Sequence, residues 1–408
     1  MSSSVRDVQP EPRFTGLTEA ARALQPRTVA LRRRVHRRPE EGLRLPETQA
    51  AVLRALEELP LEITTGTTTD SVVAVLRGGR PGPAVLLRGD MDALPLTEAT
   101  GLDHASEVPG VMHACGHDTH VAMLASAARL LSTRRDALAG SVVFMFQPGE
   151  EGFHGARHMI DEGVLEAAGT PVERAFALHI TSTSTSGVVQ SRPGTIMASA
   201  DTFRVDVTGR GGHGGMPHDA VDPVPAAAAM VGALQTMVAR RVSVHRPAVV
   251  TVGRIEAGTT SNVIPETALL DGTIRTLSEE TRAFVHQELR QVCEHVAAAH
   301  GCAAEVSIVP GYPVTVNDEE VGRRVLDLTA AALGRRWAEP MGDPLMGAED
   351  FSYVLQRVPG ALAFLGACPR GVDLADAAPN HSNRVLFDEA AMEHGVALYS
   401  AFALDALR

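Results

Sequence analysis

Between residues 71 and 180 the chain alternates short apolar runs with helical ones, and the runs end in polar clusters. Runs 71–76 and 84–87 are separated by Gly78, Gly79, Pro81 and Gly82, a pattern that reads as a β-hairpin. The second run leads into Asp90 and Asp92, run 141–146 leads into Glu150 and Glu151, and run 175–180 carries His179 near its end. Strands alternating with helices imply a mostly parallel sheet sandwiched by helices, an α/β fold. In such sheets functional groups gather at the carboxyl ends of strands. A polar residue capping a strand is ordinary; five aimed at one edge are not.

Between the second and third runs lies His113-Ala114-Cys115-Gly116-His117-Asp118-Thr119-His120, ahead of an Ala/Leu-rich helical stretch reaching about residue 131. Cys115 and His117, two apart, suit neighbouring positions on a metal better than one helix face. Gly116 lets the backbone bend tightly between them. The plainer reading is a helix entry capped by Asp118 or Thr119 with incidental histidines. Read alone, this stretch leaves the two open.

Elsewhere, residues 17–38 read as helix, kinked or restarted at Pro26 and stopped by Pro39, and a second helix follows Pro46. After residue 194 the pattern changes to β-α-β-β-α-β, the ferredoxin-like order, in about 110 residues, enough for a small domain. We therefore expect an inserted α+β domain over 198–311, a catalytic domain formed by 17–197 and 312–408, and a loose tail over 1–16. A chain of 408 residues is long enough for two cores.

Composition removes whole classes of function. A formal net charge of -12 argues against a nucleic-acid partner. Every Lys/Arg position is arginine, which excludes lysine Schiff-base chemistry and a P-loop. No apolar run approaches a membrane span, so no membrane partner is expected. Cys115, Cys293, Cys302 and Cys368 show no C-x-x-C spacing, which fits a reducing, cytoplasmic setting with one thiolate as ligand.

The segments 88–95, 113–120, 147–152, 211–218, 258–265, 347–352 and 380–383, taken together and in this order, carry a resemblance that runs from about residue 36 to the final helix. The chain resembles the metal-dependent amidohydrolases that include hippurate hydrolase, indole-acetyl-amino-acid hydrolases and bacterial N-acyl-amino-acid aminoacylases. More distantly it resembles carboxypeptidase G and the dimetal aminopeptidases. The resemblance implies a dimetal aminopeptidase-like fold with Cys115, His117, Glu151, His179 and His381 holding two divalent ions, Cys115 joining both. Thiolate, imidazole and carboxylate are donors that Zn2+ accepts, with Mn2+, Co2+ and Ni2+ as alternatives. Taken singly, His179 and His381 would be satisfied core histidines; the joint pattern reverses that. Asp90 stands where distant relatives carry a histidine ligand and is expected to tune the site, and Asp92 to orient a ligand histidine. His113, Asp118 and His120 are expected in supporting roles.

Adjacent carboxylates on an irregular turn can point in different directions, so Glu151 is assigned to the metal and Glu150 to general-base work. In the inserted domain the resemblance makes His213 an oxyanion donor, often acting in the partner subunit of a homodimer. Asn262 and Arg275 match positions holding the substrate carbonyl and carboxylate, although a plain surface arginine at 275 is almost as good a reading. Glu349 lies in a loop resembling the substrate-side wall. Relatives often carry a bulky residue just after the ligand histidine; here 181–186 is a small polar tract, which leaves the acyl preference open. The expected activity is hydrolysis of N-acyl amino acids. A dipeptidase or carbamoyl-amino-acid hydrolase is the alternative enzyme, and a catalytically silent binding protein the alternative outside enzymes.

Overall fold

The computed structural model describes residues 12–408, which form two compact units. The first comprises the chain up to Ile196, Val316–Gly342 and Tyr353–Arg408; the second comprises Met197–Thr315 and Asp343–Ser352. The first unit opens with α1 (Leu17–Arg37), α2 (Pro46–Leu56), β1 (Leu61–Thr65), β2 (Val72–Arg77) and β3 (Arg80–Asp90). It continues with α3 (His117–Ser132), β4 (Ala139–Gln147), α4 (Gly155–Asp161), β5 (Val172–Thr181) and β6 (Val189–Ser191). The chain passes into the second unit within β7 (Gly194–Met197). That unit holds β8 (Asp201–Thr208), β9 (Gly212–His213), α5 (Pro223–Arg241), β10 (Ala248–Ala257), β11 (Val263–Ile264), β12 (Thr267–Thr276), α6 (Glu279–Ala299) and β13 (Ala303–Pro310). The return runs through β14 (Thr315–Asn317), α7 (Glu319–Ala332), β15 (Ala338–Pro340), α8 (Ser352–Leu355), β16 (Gly360–Gly366) and α9 (Met392–Ala406).

The first unit is built on an eight-stranded sheet in the order β1-β2-β4-β3-β5-β16-β6-β15. Its middle strands, β4, β3, β5 and β16, run parallel, so their carboxyl ends share one edge. Each reads as a nearly continuous apolar run, and β16 is buried throughout, as strands covered on both faces must be. The expected hairpin between β2 and β3 is not formed. β4 lies between them, antiparallel to β2 and parallel to β3. Its run Val142–Val143–Phe144–Met145–Phe146 is fully buried, and an edge position would leave that surface in water.

Against this sheet pack α3 and α9, and α1 lies on those two helices. α3 is buried along almost its whole length, which an all-round Ala/Leu/Val surface permits. α1 is one unbroken helix with Pro26 inside it, not two. Part of the expected N-terminal tail is corrected as well. Phe14 is only 3% exposed and Arg13 pairs with Asp405 at 2.8 Å, so the turn before α1 is tied to the core; residues 1–11 lie outside the described part.

In the second unit β10-β12-β8-β13 form an antiparallel sheet in ferredoxin-like order. Phe203, Val205 and Val207 of β8 turn inward with Ala226, Met230 and Leu234 of α5 and Val285 and Leu289 of α6. Thr202, Arg204 and Thr208 of β8 face solvent, so only one face is covered. Residues 343–352, expected in the larger domain, cluster with this unit: Ala198 donates to the carbonyls of Leu345 and Gly347.

Candidate metal centre

Asp90 ends β3, Glu150 and Glu151 follow the end of β4, and His179 sits near the end of β5, in register with Phe364 of β16. α3 begins at His117, directly after Cys115 and Gly116. Gly116 has φ 85°, and a Cβ there would lie 2.4 Å from Cγ2 of Ile180, so only glycine fits. Neither Asp118 nor Thr119 caps the helix. Thr119 Oγ1 turns back to the Gly116 carbonyl at 2.6 Å, while Asp118 Oδ2 accepts from Arg32 and meets His36 Nδ1, each at 2.9 Å.

Hydrogen bonding fixes the state of each ring. His117 Nδ1 lies 2.9 Å from the Asp92 carbonyl, which can only accept, so Nδ1 carries a proton and Nε2 is the nitrogen left for a ligand. Burial opposes charge on this ring, but Asp90 and Cys115 push its pKa well up, so a cation bound at Nε2 would displace a proton. That Nε2 is buried and makes no hydrogen bond, with Asp90 Oδ2 3.6 Å and Glu151 Oε1 4.0 Å away. His179 Nδ1 donates to the Ile180 carbonyl at 2.8 Å, leaving its Nε2 bare and 3.4 Å from Cys115 Sγ. His381 Nε2 lies 3.2 Å from the same sulfur and 3.3 Å from Glu151 Oε1. The ligand atoms fall into two groups, Cys115–His117–His179 and Cys115–Glu151–His381, each within 4.8 Å, with Cys115 in both. Bare imidazole nitrogens, a thiol and a carboxylate turned on one another make a donor set that fits borderline divalent cations.

The electrostatics agree. Burial pushes the Cys115 thiol up, with His117 acting against it, so a thiolate here needs positive charge beside it. Hydrogen bonds to Cys115 and Glu151 push the His381 imidazole up to about 10, so the pocket favours a cation. His381 itself has φ 68°, one of two non-glycine residues so placed among those described. Such backbone costs on the order of 1–3 kcal/mol and persists where surroundings over-determine it.

Asp92 serves both halves of the site. Its carbonyl holds His117, while Oδ1 and Oδ2 accept the backbone N–H groups of Glu150 and Glu151 at 2.9 Å each. One side chain thus fixes the turn on which the paired carboxylates sit. Glu150 is 6% exposed and lies within ligand reach of His117 and Glu151.

Asp90 is enclosed by Arg88 at 2.5 Å, His120 Nδ1 at 2.5 Å and His117 Nε2 at 3.6 Å. Burial alone would raise its pKa, but Arg88 and the two histidines hold it well below the usual carboxylate range. His120 Nε2 accepts the Ile180 N–H at 2.7 Å, so its Nδ1–H donates to Asp90 and both nitrogens are engaged. His120 therefore braces the site rather than facing it. His113 is buried without a hydrogen bond, and burial lowers it to about 3, so it packs as a neutral ring.

Sequence reading missed how far support extends: Arg32 and Tyr399 gave no motif signal of their own, and Arg88, which opens the 88–95 segment, was given no role. Tyr399 donates to the Arg88 carbonyl at 2.6 Å and accepts from Leu178 N–H at 3.1 Å, locking β3 to β5. Burial opposes charge on His36, but Asp118 and a hydrogen bond to Glu98 push it up to about 9 from 6.5. A raised histidine contributes stability that is full below its unfolded pKa and is lost as pH climbs through the folded one. With metal occupancy held constant, the wild-type urea midpoint is expected to fall between pH 6.5 and about 9 more steeply than that of His36→Gln. Parallel curves would remove the imidazolium from this network.

In the second unit β9 pairs with β11, setting His213 opposite Val263, and Gly214 N–H donates to the Asn262 carbonyl at 2.8 Å. His213 Nδ1 accepts from Gly215 N–H at 3.0 Å, which leaves the proton on the exposed Nε2. Arg275 lies on β12 opposite Val249, half-buried, its pKa lowered by burial against the pull of Asp201. Glu349 is buried, with Oε1 accepting from Phe351 N–H at 2.9 Å.

The family model for Peptidase family M20/M25/M40 matches residues 86–405. The chain is 37% identical over 380 residues to thermostable carboxypeptidase 2 of Saccharolobus solfataricus, covering 92% of this chain and 94% of that protein. It is 38% identical over 348 residues to the N-acetylcysteine deacetylase of Bacillus subtilis strain 168, covering 85% and 90%. Its fold matches the crystal structure of a Bacillus subtilis protein described as a dinuclear metal binding peptidase from the M20 family, with TM-score 0.81 and 33% identity over 95% of this chain and 99% of that one.

Proposed function

The chain belongs to peptidase family M20/M25/M40, and from that premise we propose that it hydrolyses the amide bond of N-acyl amino acids, releasing a carboxylic acid and a free amino acid. As a family member it is a metal-dependent hydrolase of amide bonds, and its donor set suits two divalent ions. The observation that carries the finer reading is the convergence of the His117 and His179 Nε2 atoms on Cys115, with Glu150 beside Glu151 on the turn pinned by Asp92. Similarity to an N-acetylcysteine deacetylase and to a carboxypeptidase supports an amide whose leaving side bears a free carboxylate.

In this reading Cys115, His117 and His179 would hold one divalent ion and Cys115, Glu151 and His381 the other, with Zn2+ the ion their donors suit best. When bound, such ions polarise a carbonyl and lower the pKa of water in the site from about 15.7 toward about 7. Glu150 takes the proton from the attacking water and returns it to the leaving nitrogen, so one carboxyl serves as base and then acid. Asp90 and Asp92 hold the ligand frame through Arg88, His120 and His117. His213 Nε2–H stabilises the oxyanion, Asn262 holds the substrate carbonyl, Arg275 the carboxylate, and Glu349 lines the substrate-side wall.

The reading includes a homodimer formed through the second unit. β10 is an edge strand whose Val249 and Ile255 are 43% and 52% exposed, and an edge of that kind needs a cover. It also places the enzyme in the cytoplasm, where the four free, buried cysteines, Cys115 above all, stay reduced.

The deciding experiment is metal analysis of the purified chain with a screen of hippurate, N-acetyl-methionine, N-acetylcysteine, dipeptides and N-carbamoyl amino acids, with and without chelator. Chelator-sensitive release from the N-acyl compounds supports the proposal. Turnover of dipeptides or carbamoyl compounds alone moves it to the alternative enzyme, and metal-loaded protein inert on all of them is a binding protein. Cys115→Ser is expected to weaken metal affinity or change metal preference, because a neutral hydroxyl replaces a thiolate shared by both groups. Unchanged stoichiometry and affinity by equilibrium dialysis would take Cys115 out of the site.

A further inference from the structure

Asn380, the residue before His381, hydrogen-bonds to the segments that carry Cys115 and His179. Its Nδ2 donates to the carbonyl of Cys115 at 3.1 Å and to that of Ile180 at 2.9 Å. Its Oδ1 accepts from the backbone N–H of Ser182 at 3.2 Å; the Ser182 hydroxyl, 3.4 Å away, gives its hydrogen to the Ala378 carbonyl at 2.7 Å. The two ends of the carboxamide cannot be exchanged, since carbonyls only accept and a backbone N–H only donates. The Ile180 carbonyl is also the acceptor for His179 Nδ1 at 2.8 Å, so Asn380 and His179 share one oxygen and use its two lone pairs. His381 follows covalently in left-handed backbone, its N–H bound to the Ala114 carbonyl at 2.9 Å.

We propose that Asn380 is a positioning residue for the metal centre: one carboxamide sets the Cys115 loop, the His179 ring and the His381 backbone in a common frame. The inference rests on the metal-centre reading given above. Groups one bond removed from the ligands typically govern metal affinity by about 10–100-fold, because they fix donor direction. A carboxamide suits this position, for it offers two donors to two carbonyls on one side and an acceptor on the other. A plain staple between loops would lower the stability of the fold and leave coordination unchanged once folded. A positioning residue changes the coordination itself.

The test uses the full-length protein, stripped with chelator and titrated with Co2+, whose d–d bands report geometry and whose thiolate charge-transfer band reports Cys115. Asn380→Leu removes both ends of the amide. Asn380→Asp keeps an acceptor for Ser182 but sets a carboxylate oxygen against the Cys115 and Ile180 carbonyls. Both are expected to bind Co2+ about 10–100-fold more weakly, with displaced d–d bands and a weakened charge-transfer band. Ser182→Ala, which leaves the backbone N–H in place, is expected to match wild type. If Asn380→Leu fails to fold, Asn380→Asp decides alone. Wild-type affinity and spectrum in the Asn380 variants, with the charge-transfer band lost in Cys115→Ser, would overturn the positioning role and leave the metal centre standing. A wild-type protein that takes up no Co2+ would remove the metal centre and this role with it.

Discussion

Glu150→Gln is expected to lower kcat by about 10²–10⁴-fold while metal content stays at the wild-type level. The amide keeps the size of the carboxylate but cannot accept the proton of the attacking water. The backbone N–H of the substituted residue would still reach Asp92 Oδ1, as that of Glu150 does at 2.9 Å, so the turn holding Glu151 should survive the change. The variant therefore separates the two carboxylates, which sequence adjacency alone cannot do. Glu151 lies 3.3 Å from His381 Nε2 and 4.0 Å from His117 Nε2, and its loss should empty a metal position. Single-turnover assays together with metal analysis of both variants check the assignment. Substantial activity in Glu150→Gln, or metal loss there equal to that of Glu151→Gln, would mean the roles are wrongly assigned.

That adjacency was legible because an apolar strand stopped at a polar turn, and the same logic found Asp90, Asp92 and His179. The two-residue spacing around Gly116 was visible too, but read alone it left a metal loop and a plain helix entry open; the φ of 85° at Gly116 came only with the structure. What the residues could not reveal was pairing across the sheet. β4 separates β2 from β3 because its buried face must be covered on both sides, a demand no local pattern states. β1 was passed over because its five residues alternate between half-buried and exposed and carry Glu62, leaving no apolar run. Residues 343–352 lack periodicity, so nothing local assigned them to the second unit.

At the centre itself the limit was different in kind. Cys115, His117, Glu151, His179 and His381 were named from the chain, and their ligand atoms lie together in two groups sharing the sulfur. Which ring nitrogen faces that sulfur depends on carbonyls at Asp92 and Ile180, set by backbone direction rather than residue type. His120 shows the same point from the other side. It was expected in a supporting role, but only the structure shows how: Asp90 and the Ile180 N–H occupy both of its nitrogens. Tyr399 was invisible because a tyrosine in apolar surroundings carries no spacing signal, while Arg88 opened the 88–95 segment without a role of its own.

His213→Ala is expected to cut kcat on the order of a hundredfold with metal content unchanged, the usual effect of deleting one oxyanion donor. The ring is set for donation: Gly215 N–H bonds to Nδ1 at 3.0 Å, so the exposed Nε2 carries the hydrogen. The short β9–β11 pair sets His213 opposite Val263, and the Gly214 N–H to Asn262 carbonyl bond ties its loop to the segment of Asn262, the proposed carbonyl contact. Whether the donor serves its own chain or the other subunit is decided by mixing. Heterodimers of His213→Ala with Glu150→Gln would contain, if the donor acts in trans, one site with both residues intact, and activity should return toward half the wild-type value per dimer. If it acts in cis every site lacks one group, and the heterodimer stays as slow as its parents. His213→Gln separates donation from bulk, since its amide N–H can still reach an oxyanion and should recover part of the rate. A fully active monomer by light scattering at assay concentration would defeat the dimer, and with it any action in trans. Loss of metal in His213→Ala would instead move the residue from the oxyanion to the ligand frame.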